Sequence, residues 1–162
     1  MRLSIFAAAA ALVTLLPAAA PAVDAGKVSV ARGAQIAIIG GCHDCHTPGY
    51  SETGGLIDPN VALAGNPVGF QGPWGTSYAK NLRLIVQPMS ETDFVQYAKQ
   101  FTAMPPMPWF NVHAMDETDL RSLYQYIKSL GAAGMPAPNA VPPGQKPKTP
   151  YNVYAPPILP TP

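Results

Sequence analysis

Cys42 and Cys45 are the only cysteines among the 162 residues, and they fall in the run Gly41-Cys42-His43-Asp44-Cys45-His46. Two thiols one helical turn apart can add to the two vinyl groups on one porphyrin edge, which leaves the imidazole of the next residue beneath the iron. This C-x-x-C-H spacing is that of covalent haem c attachment, with His46 as the proximal ligand. Zinc fits less well, because a structural zinc ion takes four ligands and only His113 remains outside the pentapeptide as a histidine or cysteine. A thioredoxin-like dithiol should follow a strand, whereas the residues before Cys42 read as a helix. A plain disulfide leaves His46 unexplained.

Iron held by His46 can keep its far position open or fill it from the protein. Methionine raises the potential and suits electron transfer, whereas a displaceable or absent sixth ligand suits a sensor or small-ligand binder. In Met104-Pro105-Pro106-Met107-Pro108-Trp109 the prolines hold an extended course, so a thioether there has little freedom left to lose. Met107 is the first choice, with Met104, His113 or an open site as alternatives. Met89 and Met115 read as packing residues, and Trp109 as a wall against the porphyrin. His43 reads as a surface or propionate-side residue. Trp74, Tyr78, Asn81 and Arg83 are candidate donors to the propionates, Arg83 being the best charge partner unless it makes a surface salt bridge.

The elements that must position these groups are mostly helical. Residues 28 to 41 carry Val30, Ala34, Ala37 and Ile38 at near-helical spacing and stop at Gly40-Gly41. Residues 47 to 89 are rich in proline and glycine with no sustained period, and read as a long loop packed on the macrocycle. Ser90 is an N-cap for a second helix whose Phe94, Tyr97, Ala98 and Phe101 share one face. A third helix opens at Asp116-Glu117-Thr118-Asp119, turns Leu120, Leu123, Tyr124, Ile127 and Leu130 inward with Tyr126 at the edge, and stops at Gly131. The expected fold is therefore all-α: three to four helices around one covalent haem, with long irregular loops. The last 32 residues hold ten of the twenty prolines, which excludes regular helix and a central strand. That tail is expected to be extended, with Tyr151, Tyr154, Ile158 and Leu159 docking it on the domain as a brace.

Arg2, the apolar run Leu3 to Leu16 and Ala20-Pro21-Ala22 have the order of a cleavable signal peptide over residues 1–22. Residues 23–130 then form the domain and 131–162 the tail. The run is short for a membrane span, which needs about 20 apolar residues, so a soluble periplasmic protein is expected, with an uncleaved N-terminal anchor as the alternative. Export fits the motif, because bacteria attach haem to reduced thiols outside the cytoplasm. Ten basic residues against nine acidic ones give no basic footprint for nucleic acid and no polybasic membrane patch.

The chain resembles class I c-type cytochromes. The resemblance is carried by Arg32-Gly33, by Gly41-Cys42-His43-Asp44-Cys45-His46-Thr47-Pro48, by Pro106-Met107-Pro108-Trp109, and by Asp119-Leu120 leading into Leu123 to Leu130. It implies an electron carrier rather than an enzyme, redox proteins as partners, and a close crossing of the first and last helices at Gly33 and Tyr126. Gly72-Pro73-Trp74-Gly75-Thr76, Tyr78 and Asn81-Leu82 are similar to single-haem modules of cytochrome subunits of bacterial periplasmic dehydrogenases. One C-x-x-C-H excludes a multi-haem subunit, and the tail has no counterpart in the minimal fold.

Overall fold

The computed structural model describes residues 23–156; the expected signal peptide, and Ile158 and Leu159 of the tail, lie outside the described residues. Helix α1 (Val30–Ile39) opens where the Ser29 side chain accepts from the Arg32 N–H at 3.1 Å, which satisfies one of the orphan donors of the first turn. Gly40 closes it, and Gly41 at φ 70° turns the chain directly into α2 (Cys42–His46), a left-handed step that glycine makes without strain. Asn81 caps α3 (Leu82–Val86). Ser90 and Asp93 form a reciprocal capping box on α4 (Glu91–Gln100). After α5 (Trp109–Ala114), Asp116 accepts from the Asp119 N–H at 2.8 Å to start α6 (Glu117–Ser129).

The core lies where α1 crosses α6. Ile36 and Ala37 meet Leu120, Leu123 and Ile127, and Phe94 and Ala98 of α4 close the third side. Gly33 makes the crossing possible: a Cβ there would overlap the Ser122 carbonyl oxygen and come within 2.7 Å of Tyr126 Cβ. This contact rotates α1 relative to the expected stripe, so Val30 and Ile38 are exposed while Gly33, Ile36 and Ala37 are buried. Arg32 ties the same crossing from outside, its Nε and Nη2 on the two Asp119 carboxylate oxygens at 2.7 and 2.9 Å, the forked geometry that makes such pairs strong.

The all-α expectation is corrected by a three-stranded sheet. Strands β1 (Gly69–Gly72) and β2 (Gly75–Tyr78) form an antiparallel hairpin with Phe70 opposite Ser77, and β3 (Tyr151–Val153) adds to β1 in parallel, giving the order β2-β1-β3. The long loop therefore contains this hairpin and, near its end, the short helix α3. Four-residue strands made of Gly-Phe-Gln-Gly and Gly-Thr-Ser-Tyr are too short to show a period of two. Their third strand comes from the distant tail, which no local pattern announces.

The tail docks, as expected for Tyr151 and Tyr154, but by a different force. Its backbone pairs with the hairpin: Val141 exchanges both hydrogen bonds with Thr76 at 2.8 and 2.9 Å, and Tyr154 N–H donates to the Gln71 carbonyl at 2.7 Å. Tyr154 lies edge-on to Phe70, yet Tyr151, Val153 and Tyr154 all stay exposed. Apolar burial contributes less than the ladder, and Pro150 sits just ahead of an edge strand, where its missing N–H costs nothing.

Candidate functional site

Helix α2 sets Cys42, Cys45 and His46 into the wall of a cavity of about 610 Å³, within the range of roughly 300–1,000 Å³ usual for cofactor sites. Leu82, Ile85, Val86, Phe94, Leu123 and Ile127 make most of the remaining wall apolar. His46 is buried, and its Nδ1 lies 2.7 Å from the Lys80 carbonyl oxygen. A carbonyl can only accept, so Nδ1 carries the proton and Nε2 keeps its lone pair. Burial holds the imidazole below its ordinary pKa against the opposing pull of that hydrogen bond, so the ring is neutral. Burial likewise pushes the Cys42 thiol up to about 11 and raises Cys45. Among the described residues no cluster of three His, Cys, Asp or Glu could hold a metal ion. Two neutral thiols beside an imidazole with one nitrogen tied and the other available fit covalent haem, including the carbonyl partner that ligating histidines need.

The proline loop forms part of the same cavity wall and contributes both Met104 and Met107. The Ser77 hydroxyl donates to the Pro105 carbonyl, Met107 N–H to Met104 O at 3.3 Å, and Trp109 N–H to Met107 O at 2.9 Å. Met107 is half-buried and Met104 is 37 % exposed. Met115, expected as packing, also lines the cavity, with its methyl beside Gly40, whereas Met89 packs on the core. Trp109 is not the expected wall. As the first residue of α5 it packs on Phe110 and His113, with ring centroids 5.7 and 5.0 Å apart. The His113 Nε2 is 2.9 Å from the Phe101 carbonyl, so this histidine is committed to the backbone.

The expected propionate donors are committed too. Arg83, 5 % exposed, donates to four backbone carbonyls: Pro59, Asn60, Leu130 and Gly131. Asn81 gives its amide hydrogens to Ala133 and Met135, and Trp74 donates to Phe70 at 3.2 Å. Tyr78 reaches the cavity with its ring while its hydroxyl pairs with Thr149 at 2.8 Å. Ser77, Lys80, Tyr97, Thr102 and Asn111 are further polar residues on the wall; Lys80 sits in a run with no period, and nothing local in the sequence singled it out.

His43 is corrected from a surface residue to a fully buried one. Cys42, Cys45 and His46 share one face of α2, and the helical rotation of about 100° per residue carries His43 round to α6. Its Nδ1 is 2.7 Å from the Thr47 hydroxyl and its Nε2 3.3 Å from the Tyr126 hydroxyl, while Thr47 also accepts from the Leu63 N–H at 2.9 Å. Burial lowers its pKa below 6.5. The unfolded chain therefore takes up this proton first as pH falls, and stability present above about pH 6.5 is lost as the pH drops toward the lower folded value. Chemical denaturation at pH values of about 7.5 and 5 should show a smaller loss for His43→Gln than for the natural chain, whatever the variant's absolute stability.

A helical domain folded around an apolar cavity, with a C-x-x-C-H helix in its wall, defines a protein that carries covalent haem. The Cytochrome c family model matches residues 30–131, from α1 to the end of α6, and the chain belongs to that family as a class I c-type cytochrome with covalently bound haem c. No curated protein and no solved structure matches the chain. Membership makes it a haem-based electron carrier. Among the described residues no helix is long and apolar enough to cross a membrane.

Proposed function

We propose that this chain is an exported, periplasmic carrier of single electrons between redox proteins, with Cys42 and Cys45 in thioether bonds to the haem, His46 as proximal ligand and Met107 as distal ligand. The observation that carries the reading is the His46–Lys80 hydrogen bond at 2.7 Å: it leaves Nε2 as the free lone pair in a cavity whose wall also holds the proline-bound Met107. The bound group supplies a one-electron iron couple. The chain's own residues exclude water, hold the imidazole in one tautomer and keep the ligand loop from relaxing between oxidation states, which keeps reorganisation small. Residues 1–22 serve as the signal peptide, 23–130 as the haem domain and 131–162 as an appended tail. A dehydrogenase or an oxidase is the class of partner that this chemistry fits.

Purified holoprotein should give a c-type haemochrome in alkaline pyridine, and its haem should stay with the polypeptide in acid acetone. Extraction of the haem would overturn the thioether assignment. Replacing both Cys42 and Cys45 with serine should abolish the covalent fraction.

A further inference from the structure

Besides the backbone bonds that join residues 150–154 to β1, the polar anchors of the C-terminal tail fall on one short stretch of the domain, residues 76 to 83. Val141 pairs with the Thr76 backbone, Thr149 with the Tyr78 hydroxyl at 2.8 Å, and the Ala133 and Met135 carbonyls accept from Asn81 Nδ2 at 2.8 and 3.2 Å. Arg83 then donates to the Gly131 carbonyl at 2.7 Å. In the middle of that stretch is Lys80, whose carbonyl accepts the proton of His46 Nδ1 at 2.7 Å. Lys80 lines both the haem cavity and a second, shallower cleft that the tail residues Pro136, Ala137 and Asn139 also line.

We infer that the tail is a positioning element for the proximal ligand: through Asn81 it fixes the Lys80 carbonyl against His46 and thereby sets the reduction potential. The inference rests on the proposed role of His46. Its physical basis is that a strong acceptor on Nδ1–H gives the ring anionic character and favours ferric iron, so loosening that acceptor favours the ferrous state. Asn81 is the pivot because its two ends have separate duties. Oδ1 caps α3 by accepting from the Leu84 N–H at 3.1 Å, and Nδ2 alone reaches the tail. The next peptide bond back is the one whose carbonyl holds His46. The tail grips Thr76, Tyr78 and Arg83 on either side, and within the domain Ala79 O accepts from Asn66 N–H and Leu82 N–H donates to Leu63 O, at 3.0 Å each, so Asn81 Nδ2 is the tail contact nearest the Lys80 carbonyl along the chain.

Asn81→Ser separates the two duties, since serine remains a good N-cap, adds no charge and is too short to reach Ala133 or Met135. The holoprotein variant should favour ferrous iron by about threefold, a positive midpoint shift of ~28 mV at 59 mV per tenfold for one electron. Its His46 Nδ1 proton, followed by nuclear magnetic resonance in the reduced protein, should exchange with solvent several-fold faster. Gly134→Ala in the full chain, which puts a methyl group 3.2 Å from Asn81 Nδ2 at a tail position with φ 75°, should shift both readings the same way, and adding Asn81→Ser to it should change neither further. Unchanged potential and exchange in a folded Asn81→Ser holoprotein overturns the inference, as does full additivity of the two changes. Failure of the underlying reading looks different: the natural chain would then show no iron-bound His46 from which to start.

Discussion

Gly33→Ala will cost this protein about 3 kcal/mol of stability, with a fall in melting temperature on the order of 10 °C, more than other single methyl additions to α1. The reason is that the methyl group meets backbone. It would overlap the Ser122 carbonyl oxygen and crowd Tyr126 Cβ at 2.7 Å, and neither can rotate out of the way as a side-chain tip could. The helices would have to separate along the line that buries Ile36, Ala37, Leu120, Leu123 and Ile127, and interiors at crystal-like density do not absorb such a shift locally. Separation would also stretch the Ser29 N–H bond to Ser122 Oγ, now 3.2 Å, and the Arg32–Asp119 fork. Gln35→Ala, on the exposed side of the same helix, should change stability by no more than about 0.5 kcal/mol. Thermal denaturation of the three holoproteins checks the contrast, and a Gly33→Ala variant melting like the natural chain would falsify the crossing as the source of stability.

What the sequence displayed of this fold depended on how local each cause was. Ser90 with Asp93 and Asp116 with Asp119 are caps written within one turn, so the starts of α4 and α6 were readable, and the apolar periods behind them were long enough to show a face. The sheet was not readable, because β1 and β2 hold four residues each and β3 joins them from roughly 80 positions away. The site divided along the same line. Cys42, Cys45 and His46 owe their meaning to spacing within five residues. The partner of His46 is a backbone carbonyl, a group every residue owns, and no side-chain pattern marks Lys80 as its source. Arg83 shows the opposite failure. A lone arginine in a loop invites an ionic partner, yet its guanidinium is spent on carbonyls at Pro59, Asn60, Leu130 and Gly131, where a forked donor set can hold the C-terminal end of α6 and a loop together.

On the proposed His46/Met107 ligation, Met107→Ala in the holoprotein will abolish the near-infrared sulfur-to-iron charge-transfer band of the ferric form and lower the midpoint potential by on the order of 100 mV or more, because a thioether stabilises ferrous iron and water or hydroxide does not. Met104→Ala is the decisive companion. Both methionines line the cavity, so cavity placement alone does not choose between them. The loop's hydrogen bonds do favour one. Met107 is followed by the Trp109 N–H bond to its own carbonyl at 2.9 Å and lies next to the start of α5, whereas Met104 precedes the two prolines and is 37 % exposed. Iron ligation needs a sulfur held in place through both oxidation states, and the residue bracketed by Pro106 and Pro108 loses the least freedom on being held. Met104→Ala should therefore keep the band and move the potential little. The reverse pattern would transfer the ligand to Met104, and a band that survives each replacement would remove methionine from both positions.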